Sequence, residues 1–236
     1  MKIEELKEFI PTAVYTLLED EPFDTFRPSQ FKAVQAGLFE DKNILVCTPT
    51  GSGKTYVAEL GFLDTILRGG KKALYIVPLK ALANEKHTEF IKKYGNKIKI
   101  AKSLGDKDAT DAHLAKYDLI ITTSEKLDSL MRHHTPWLTD IGCVVIDEIH
   151  LLNDTGRGPT LEIVITMLRT LIPNIKLIGL SATIGNPQEL ADWLEAELVV
   201  DSWRPTELHK GIYLDGKVEF FDTKTNEGKH PSLCQK

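Results

Sequence analysis

The stretch VVIDEIH (144–150) joins an apolar, β-branched run to three side chains that can carry charge or transfer a proton. The apolar half favours a buried strand. Asp147, Glu148 and His150 then follow, although burying an unpaired carboxylate costs free energy. Two carboxylates at the end of such a strand therefore indicate that they face a cation or a water-filled cleft, unless they form an ordinary solvated strand end.

The stretch TPTGSGKT (48–55) has the composition of a phosphate-binding loop, although Thr48 stands where the strict pattern has glycine. Gly51 and Gly53 still allow a tight turn, and they let backbone N–H groups approach phosphate at the positive end of the following helix. Lys54 can reach the β- and γ-phosphates, and Thr55 can offer its hydroxyl to Mg²⁺. A glycine-rich turn that only joins a strand to a helix is the alternative. The predicted nucleotide-binding residues are Thr48, Pro49, Thr50, Gly51, Ser52, Gly53, Lys54 and Thr55.

Short β-rich runs alternate along the chain with longer segments of helical period, which predicts an α/β fold with a mostly parallel sheet covered on both faces. Ligands bind such sheets at the carboxyl ends of the strands. From about residue 197 the pattern changes to a last strand, then a hairpin that turns at Asp215-Gly216, then a loose tail. The predicted strands are 43–48, 73–78, 97–103, 118–123, 143–147 and 176–182, and the predicted helices are 54–68, 80–94, 124–133, 158–171 and 187–195.

The two chemical stretches would meet in this sheet, because Asp147 ends a strand about ninety residues after the phosphate loop. Asp147 could then hold, generally through water, the Mg²⁺ that Thr55 also touches. Glu148 could orient and deprotonate an attacking water. The predicted catalytic residues are therefore Lys54, Asp147 and Glu148, and the predicted metal-binding residues are Thr55 and Asp147.

Composition sets broad limits on the class of protein. The chain has 236 residues, of which 42% are hydrophobic and 27% are charged, as in ordinary globular domains. No apolar run approaches the length of about eighteen residues that spans a bilayer, and the charged N-terminus is unlike a secretory signal. Cys47 and Cys143 lie within apolar runs, which favours small buried hydrophobes over metal ligands. The net charge of −5 argues against binding nucleic acid by bulk electrostatics alone.

Eight stretches in order resemble the motifs of superfamily-two helicases of the DExH type, over residues 26–205. DEIH (147–150) resembles box II and TPTGSGKT resembles motif I, in which Ala or Thr commonly replaces the first Gly. FRPSQ (26–30) resembles the Q motif, VPLKALANEK (77–86) motif Ia, TTSEKLDSLMR (122–132) motif Ib and SAT (181–183) motif III. DTGRGPTLE (154–162) and SWRP (202–205) are similar to stretches of the Ski-like branch, and within it the chain looks closest to archaeal DNA-repair helicases that act at stalled forks.

The resemblance implies a three-layer RecA-like P-loop NTPase domain over residues 1–205, with 206–236 as an exit hairpin and the start of a second motor domain. It implies ATP and Mg²⁺ as cofactors, Gln30 as the reader of adenine, and single-stranded or forked DNA as a partner, with movement from 3′ to 5′. It implies a cytoplasmic, nucleoid-associated protein without a membrane partner. Phe23 and Phe26 are two candidates for contact with the adenine ring.

Motifs Ia and Ib lie where strands lead into helices, so their backbone N–H groups and polar side chains can hold phosphates without reading bases. The predicted nucleic-acid-binding residues are Lys80, Thr123, Ser124 and Lys126, and Ser124 could also cap its helix. The residues expected to couple hydrolysis to movement are His150, Ser181, Ala182 and Thr183. His133 and His134 are expected on the surface, and Trp137, Trp193 and Trp203 are expected to pack.

No stretch of the chain resembles the motif of the form QxxGRxGR with which the second motor domain supplies an arginine finger. The sequence therefore predicts ATP·Mg binding with feeble hydrolysis and no unwinding by this chain alone. An RNA helicase of the same branch is one alternative, since backbone contacts discriminate poorly between DNA and RNA. A nucleotide-binding module without motor activity is a second, against which the paired carboxylates argue. A small-molecule kinase is a third, which does not explain the Q, Ia, Ib and III stretches.

Overall fold

The computed structural model describes residues 2–19, 24–105, 111–206, 209–214 and 217–221. Within these ranges the chain divides into two compact units, and the division falls between Trp203 and Arg204. No helix among the described residues has the length and apolar character needed to cross a membrane.

The first unit contains a seven-stranded sheet in which every neighbouring pair is parallel, in the order β3-β4-β2-β5-β6-β1-β7. The predicted mostly parallel α/β fold is confirmed, and each predicted strand is present with ends shifted by a few residues. The strands are β1 Asn43–Cys47, β2 Lys72–Ile76, β3 Ile100–Ser103, β4 Leu119–Thr122, β5 Ile141–Ile146, β6 Lys176–Ser181 and β7 Ala196–Val200.

Seven α-helices accompany the strands in the described part of the chain. The five helices predicted from sequence periodicity are confirmed, and two N-terminal helices were not predicted from the sequence. Four short 3₁₀ helices, Ile3–Leu6, Ala112–Lys116, Pro136–Asp140 and Ile149–Asn153, complete the helical structure. The α-helices are α1 Thr12–Leu18, α2 Pro28–Gln35, α3 Lys54–Gly69, α4 Lys80–Tyr94, α5 Ser124–Arg132, α6 Gly158–Leu171 and α7 Pro187–Leu194.

Side chains of each central strand alternate between two hydrophobic clusters, as the pleat of a strand requires. Ile44 and Val46 face the cluster that α1 to α4 cover, and Leu45 and Cys47 face the cluster that α5 to α7 cover. The sheet is therefore the middle of three layers. Cys47 and Cys143 are buried, as predicted for small hydrophobes.

The second unit contains an antiparallel pair, β8 Lys210–Leu214 and β9 Lys217–Phe221, which confirms the predicted hairpin. Its predicted turn at Asp215-Gly216 and the tail from residue 222 lie outside the described residues.

Candidate functional site

The carboxyl ends of the parallel strands lie along one edge of the sheet, and the motifs follow one another along that edge. Motif II follows β5, motif III follows β6 and motif I follows β1, and these three strands are consecutive neighbours. Motif Ia follows β2 and motif Ib follows β4, on the other side of β5. The strand order therefore places the predicted phosphate, metal and water chemistry in one continuous region.

The phosphate loop is shaped by two glycines with positive φ, Gly51 at 82° and Gly53 at 93°. Inside the loop, the hydroxyls of Thr48 and Ser52 lie 2.7 Å apart and are buried. The Thr48 side chain is therefore hydrogen-bonded inside the loop, so the loop accommodates threonine at the position where the strict pattern has glycine. Pro49 is also buried, and Thr50 is exposed at the tip.

Lys54 and Thr55 are the first residues of α3, so they lie at the positive end of a 16-residue helix. Lys54 is buried, and Thr55 is half-buried. An anion bound at this helix end would meet backbone N–H groups as well as the Lys54 ammonium.

The segment around Gln30 is attached to the phosphate loop. The Gln30 amide donates to the carbonyl of Gly53 at 3.2 Å, and its Oε1 accepts from the Arg27 backbone N–H at 2.9 Å. The Arg27 guanidinium donates to the carbonyl of Gly51 at 2.8 Å. The φ of 93° favours glycine at position 53, and a Cβ atom there would lie 2.7 Å from Gln30 Nε2, so it would displace the Gln30 side chain. In this structure the Gln30 side chain holds the loop, and its predicted contact with adenine stays a prediction.

Phe26, one of the two candidates for stacking on adenine, is buried in the core and meets the ring of Tyr56 edge to face at 6.3 Å. The geometry gives Phe26 a packing role. The other candidate, Phe23, lies outside the described residues.

Asp147 follows β5 directly, and its carboxylate is held by two donors. The Tyr75 hydroxyl donates to Oδ2 at 3.1 Å, and the Glu148 backbone N–H donates to Oδ1 at 3.0 Å. Burial raises the pKa of Asp147, the nearby Glu148 carboxylate raises it further, and the Tyr75 hydroxyl and the Lys86 ammonium oppose the shift. A divalent cation beside Asp147 would stabilise the charged form.

Glu148 adopts the left-handed conformation, with φ 52° and ψ 44°, which is rare for a residue with a side chain. This conformation ends the strand and begins the 3₁₀ helix Ile149–Asn153. The different roles predicted for the two carboxylates stay a prediction. Holding a non-glycine residue there stores about 1–3 kcal/mol of strain, which is common at functional sites.

His150 lies beside Glu148, with 3.3 Å between Nδ1 and Oε2. The two atoms lack hydrogen-bond geometry, and the contact is an ion pair only when the imidazole is protonated. His150 also lines a cavity of about 290 Å³ together with Ile184, the residue after motif III.

Motif III touches motif I through the backbone, since the Thr48 N–H donates to the carbonyl of Ser181 at 3.2 Å. Ser181 is buried. Ala182 is half-buried and Thr183 is exposed at the edge of the sheet. The coupling role expected for these residues and for His150 stays a prediction.

Three of the four predicted nucleic-acid contacts lie at helix starts on the same edge. Lys80 is the first residue of α4 and is exposed. Thr123 caps α5, and its hydroxyl accepts from the Lys126 backbone N–H at 3.4 Å. Ser124, the first residue of α5, lines a small pocket with Pro78, Asp147 and Glu148. Residues of motifs Ia, Ib and II therefore line one pocket.

Lys126 differs from the expectation that its ammonium would face a phosphate. The side chain is 3% exposed, and its Nζ lies 3.2 Å from Asp111 Oδ2. The same carboxylate oxygen accepts from the Ser103 hydroxyl. In this structure the geometry gives Lys126 a structural role, since a buried ammonium of this kind must be paired.

Tyr75 is the site residue that sequence reasoning missed. It lies within the apolar strand β2, with no motif around it, and is fully buried. The signal was the alternation of side chains along the strands. Tyr75 pairs with Val145, and Asp147 lies two residues after Val145, directly beyond the end of β5.

The remaining predictions, for the tryptophans and histidines, have different outcomes. Trp137 is buried and Trp193 packs against the core, whereas Trp203 is 38% exposed with the Arg27 guanidinium 5.7 Å from its ring centre. Trp203 is therefore a surface residue. His133 and His134 are exposed, as predicted.

Two named helicases align with most of this chain. The protein named ATP-dependent DNA helicase Hel308 of Methanococcus vannielii is 49% identical over 225 residues, which cover 92% of this chain and 30% of that protein. The protein of the same name from Methanocaldococcus jannaschii is 51% identical over 223 residues, which cover 92% of this chain and 18% of that protein. The chain thus spans less than a third of the length of each of these relatives.

Solved structures agree with this result. The helicase MrfA bound to DNA matches with a TM-score of 0.66 and 28% identity, over 83% of this chain and 30% of that one. MrfA bound to DNA and AMPPNP matches with a TM-score of 0.68 and 30% identity over the same shares. The model of the DEAD/DEAH box helicase family matches residues 27–190, which is more than half of the chain. The chain therefore belongs to the DEAD/DEAH box helicase family.

Proposed function

We propose that this chain is the first motor domain of an archaeal ATP-dependent DNA helicase, and that it binds ATP·Mg²⁺ and single-stranded DNA along the carboxyl edge of its sheet. The observation that carries the proposal is the order of the strands, since β5, β6 and β1 bring motifs II, III and I together. Residues 1–205 form the motor domain in this proposal, and 206–236 lead into a second one.

Lys54 neutralises the β- and γ-phosphates, and the N–H groups from Gly51 to Thr55 surround them. The Thr55 hydroxyl and the Asp147 carboxylate hold Mg²⁺, which when bound supplies charge stabilisation on the phosphates. These oxygen donors fit that ion, because Mg²⁺ usually takes one or two carboxylates together with phosphate oxygens and water.

Glu148 orients and deprotonates the attacking water, from the residue directly after Asp147 at the start of the 3₁₀ helix. Gln30 reads the adenine edge. It already contacts the Gly53 carbonyl, so a base that engages its amide would change the hold on the phosphate loop. His150, Ser181, Ala182 and Thr183 pass the state of the nucleotide to the DNA, and the Thr48–Ser181 hydrogen bond supports this route.

Nucleotide binding is tested by titrating the chain with a fluorescent ATP analogue and Mg²⁺. Lys54→Ala should weaken binding about tenfold or more, because a charge-assisted contact contributes about 1.5–3 kcal/mol. Glu148→Gln should retain the nucleotide and lose its residual hydrolysis. Equal binding by Lys54→Ala and the unmodified chain would contradict the proposal.

Single-stranded DNA is the proposed polymer because the relatives are named DNA helicases and MrfA is bound to DNA. Lys80 and the N–H groups of Thr123 and Ser124 hold its phosphates, at helix starts on one edge. Repair at stalled forks, movement from 3′ to 5′ and a location on the nucleoid in the cytoplasm complete the proposal for the whole protein.

DNA binding is tested by its dependence on salt. Lys80→Ala should reduce the slope of log affinity against log salt by about 0.7, the value for one phosphate contact on a single strand. Lys92→Ala removes the same charge at the other end of α4, where it is exposed, and should leave the slope unchanged. A matched RNA strand should bind more weakly, and tighter binding of RNA would favour the RNA helicase alternative.

A further inference from the structure

Tyr75 places its hydroxyl on the carboxylate that follows β5. The side chain is fully buried, and its hydroxyl donates to Asp147 Oδ2 at 3.1 Å. The register pairs Tyr75 with Val145, so Tyr75 and Asp147 are diagonal neighbours on the face of the sheet that α3 covers. The contact between Tyr75 and Asp147 therefore follows from the register of β2 against β5.

Each oxygen of the Asp147 carboxylate has its own donor. Oδ2 accepts from Tyr75, and Oδ1 accepts from the Glu148 backbone N–H at 3.0 Å. The Asp147 N–H in turn donates to the carbonyl of Ile76 at 2.9 Å. The plane of the carboxylate is thus fixed at two points, and further lone pairs remain for a water or a cation.

The Tyr75 ring is held by aromatic residues from two helices. Phe90 of α4 meets it at 5.3 Å and 69°, and Phe62 of α3 meets it at 6.5 Å and 81°. Phe62 and Phe90 also contact each other at 5.4 Å. The cluster therefore fixes the Tyr75 ring between α3 and α4.

We infer that Tyr75 is a positioning residue that orients the Asp147 carboxylate for Mg²⁺, and this inference rests on the proposed ATP·Mg²⁺ site. A group that hydrogen-bonds a metal-binding carboxylate fixes its direction before the ion arrives, and its loss typically costs about 10–100-fold in metal affinity. Tyr75→Phe keeps the ring in the aromatic cluster and removes only this donor.

The chain offers a matched control in Tyr94→Phe. Tyr94 is buried in the same aromatic cluster, its ring centre 6.3 Å from that of Phe62, and its hydroxyl donates to Glu59 instead of Asp147. The variant therefore removes a buried hydroxyl of the same kind from a carboxylate that has no role in the proposed site.

The experiment measures the affinity of a fluorescent ATP analogue with excess EDTA and with saturating Mg²⁺, and takes the ratio as the gain from the metal. Tyr75→Phe should reduce the gain about tenfold and leave the affinity in EDTA within about twofold. Tyr94→Phe should leave both unchanged. In the Asp147→Asn background the gain is already lost, so adding Tyr75→Phe should change nothing further.

An unchanged gain in Tyr75→Phe overturns the inference. So does a loss that also appears in EDTA, in Tyr94→Phe or in the Asp147→Asn background, since each of these points to a purely structural role. Absence of any gain in the unmodified chain overturns the proposed metal site itself, and the inference with it.

Discussion

Glu59 is a buried carboxylate on α3, the helix that follows the phosphate loop. The Lys93 ammonium lies 2.7 Å from its Oε2, and the Tyr94 hydroxyl donates to the same oxygen. Burial nevertheless raises the pKa of Glu59 above its usual value of 4.5, because the loss of hydration exceeds what Lys93 and Tyr94 return. The folded state therefore binds this proton more tightly than the unfolded state does.

The sign of the pH dependence follows from linkage. A carboxyl with a raised pKa contributes stability that is fully present below about pH 4.5 and is lost as the pH rises through the folded-state value. We expect the free energy of unfolding of the unmodified chain, minus that of Glu59→Gln, to fall over this range and then to level off. Urea unfolding at a series of pH values measures the difference, in which the contributions of other acids cancel.

Lys93→Gln provides the control, because the ammonium lowers the pKa of Glu59. Removing the ammonium should move the pH range over which Glu59 loses its contribution to stability to higher pH. In a chain that already carries Glu59→Gln, the Lys93→Gln change should cause no such shift. A difference that stays constant across the whole range would show that Glu59 titrates alike in both states.

Residues with a motif around them could be predicted, and residues defined by a partner elsewhere in the chain could not. The glycines and Lys54 of the phosphate loop act through local geometry, so their spacing identified them. Lys126 lies in a stretch resembling motif Ib, but its ammonium is held by Asp111, a contact that depends on how a distant loop folds. Tyr75 is one aromatic residue in an apolar strand, and its contact with Asp147 follows only from the register of β2 against β5.

At the scale of elements, α3 must pack closely on β6 to place the phosphate loop beside motif III. Gly61 permits this approach, since a Cβ atom there would lie 2.1 Å from Ile178 Cδ1. Ile178 is fully buried, so its side chain has little room to move. The sequence periodicity predicted the helix and the strand, whereas this contact depends on their crossing in three dimensions.

Gly61→Ala should destabilise the chain by about 1–2 kcal/mol, since overpacking costs about 1–3 kcal/mol and alanine returns up to about 1 kcal/mol of helix propensity. Ile178→Val removes the opposing methyl and alone should cost about 0.5–1.5 kcal/mol. The double variant should be more stable than the sum of the single changes predicts, by about 1 kcal/mol. Chemical unfolding of all four proteins measures the coupling.

Gly69→Ala is the matched change on the same helix, where a new Cβ would meet nothing within 4 Å. It should be neutral or stabilising by up to about 1 kcal/mol. Strict additivity of Gly61→Ala and Ile178→Val would contradict the packing argument.

At the scale of the whole molecule, one strand order accounts for the arrangement of the site. Motifs separated by more than a hundred residues become neighbours because β6 lies between β5 and β1. Alternation of apolar and helical segments predicted a parallel sheet, but it does not specify which strands are adjacent. The order of the strands was not predicted from the sequence and is a finding of the structure.

No stretch of the 236 residues resembles the motif with which the second motor domain of such helicases supplies an arginine finger. In other phosphate-loop enzymes the finger contributes about three to five orders of magnitude in rate. We therefore expect the chain to hydrolyse ATP more slowly than the full-length Methanococcus vannielii relative by about that factor. Adding single-stranded DNA should change the rate little, because DNA can act on hydrolysis only through a completed site.

Phosphate release by the two proteins, with and without a DNA single strand, measures the difference. Glu148→Gln defines the background from contaminating enzymes, since it should retain nucleotide while losing the base that activates water. Turnover of the chain that equals that of the relative and rises with DNA, but vanishes in Glu148→Gln, would mean that one domain completes the site. An arginine of this chain, acting within one molecule or between two copies, would then have to take the place of the finger.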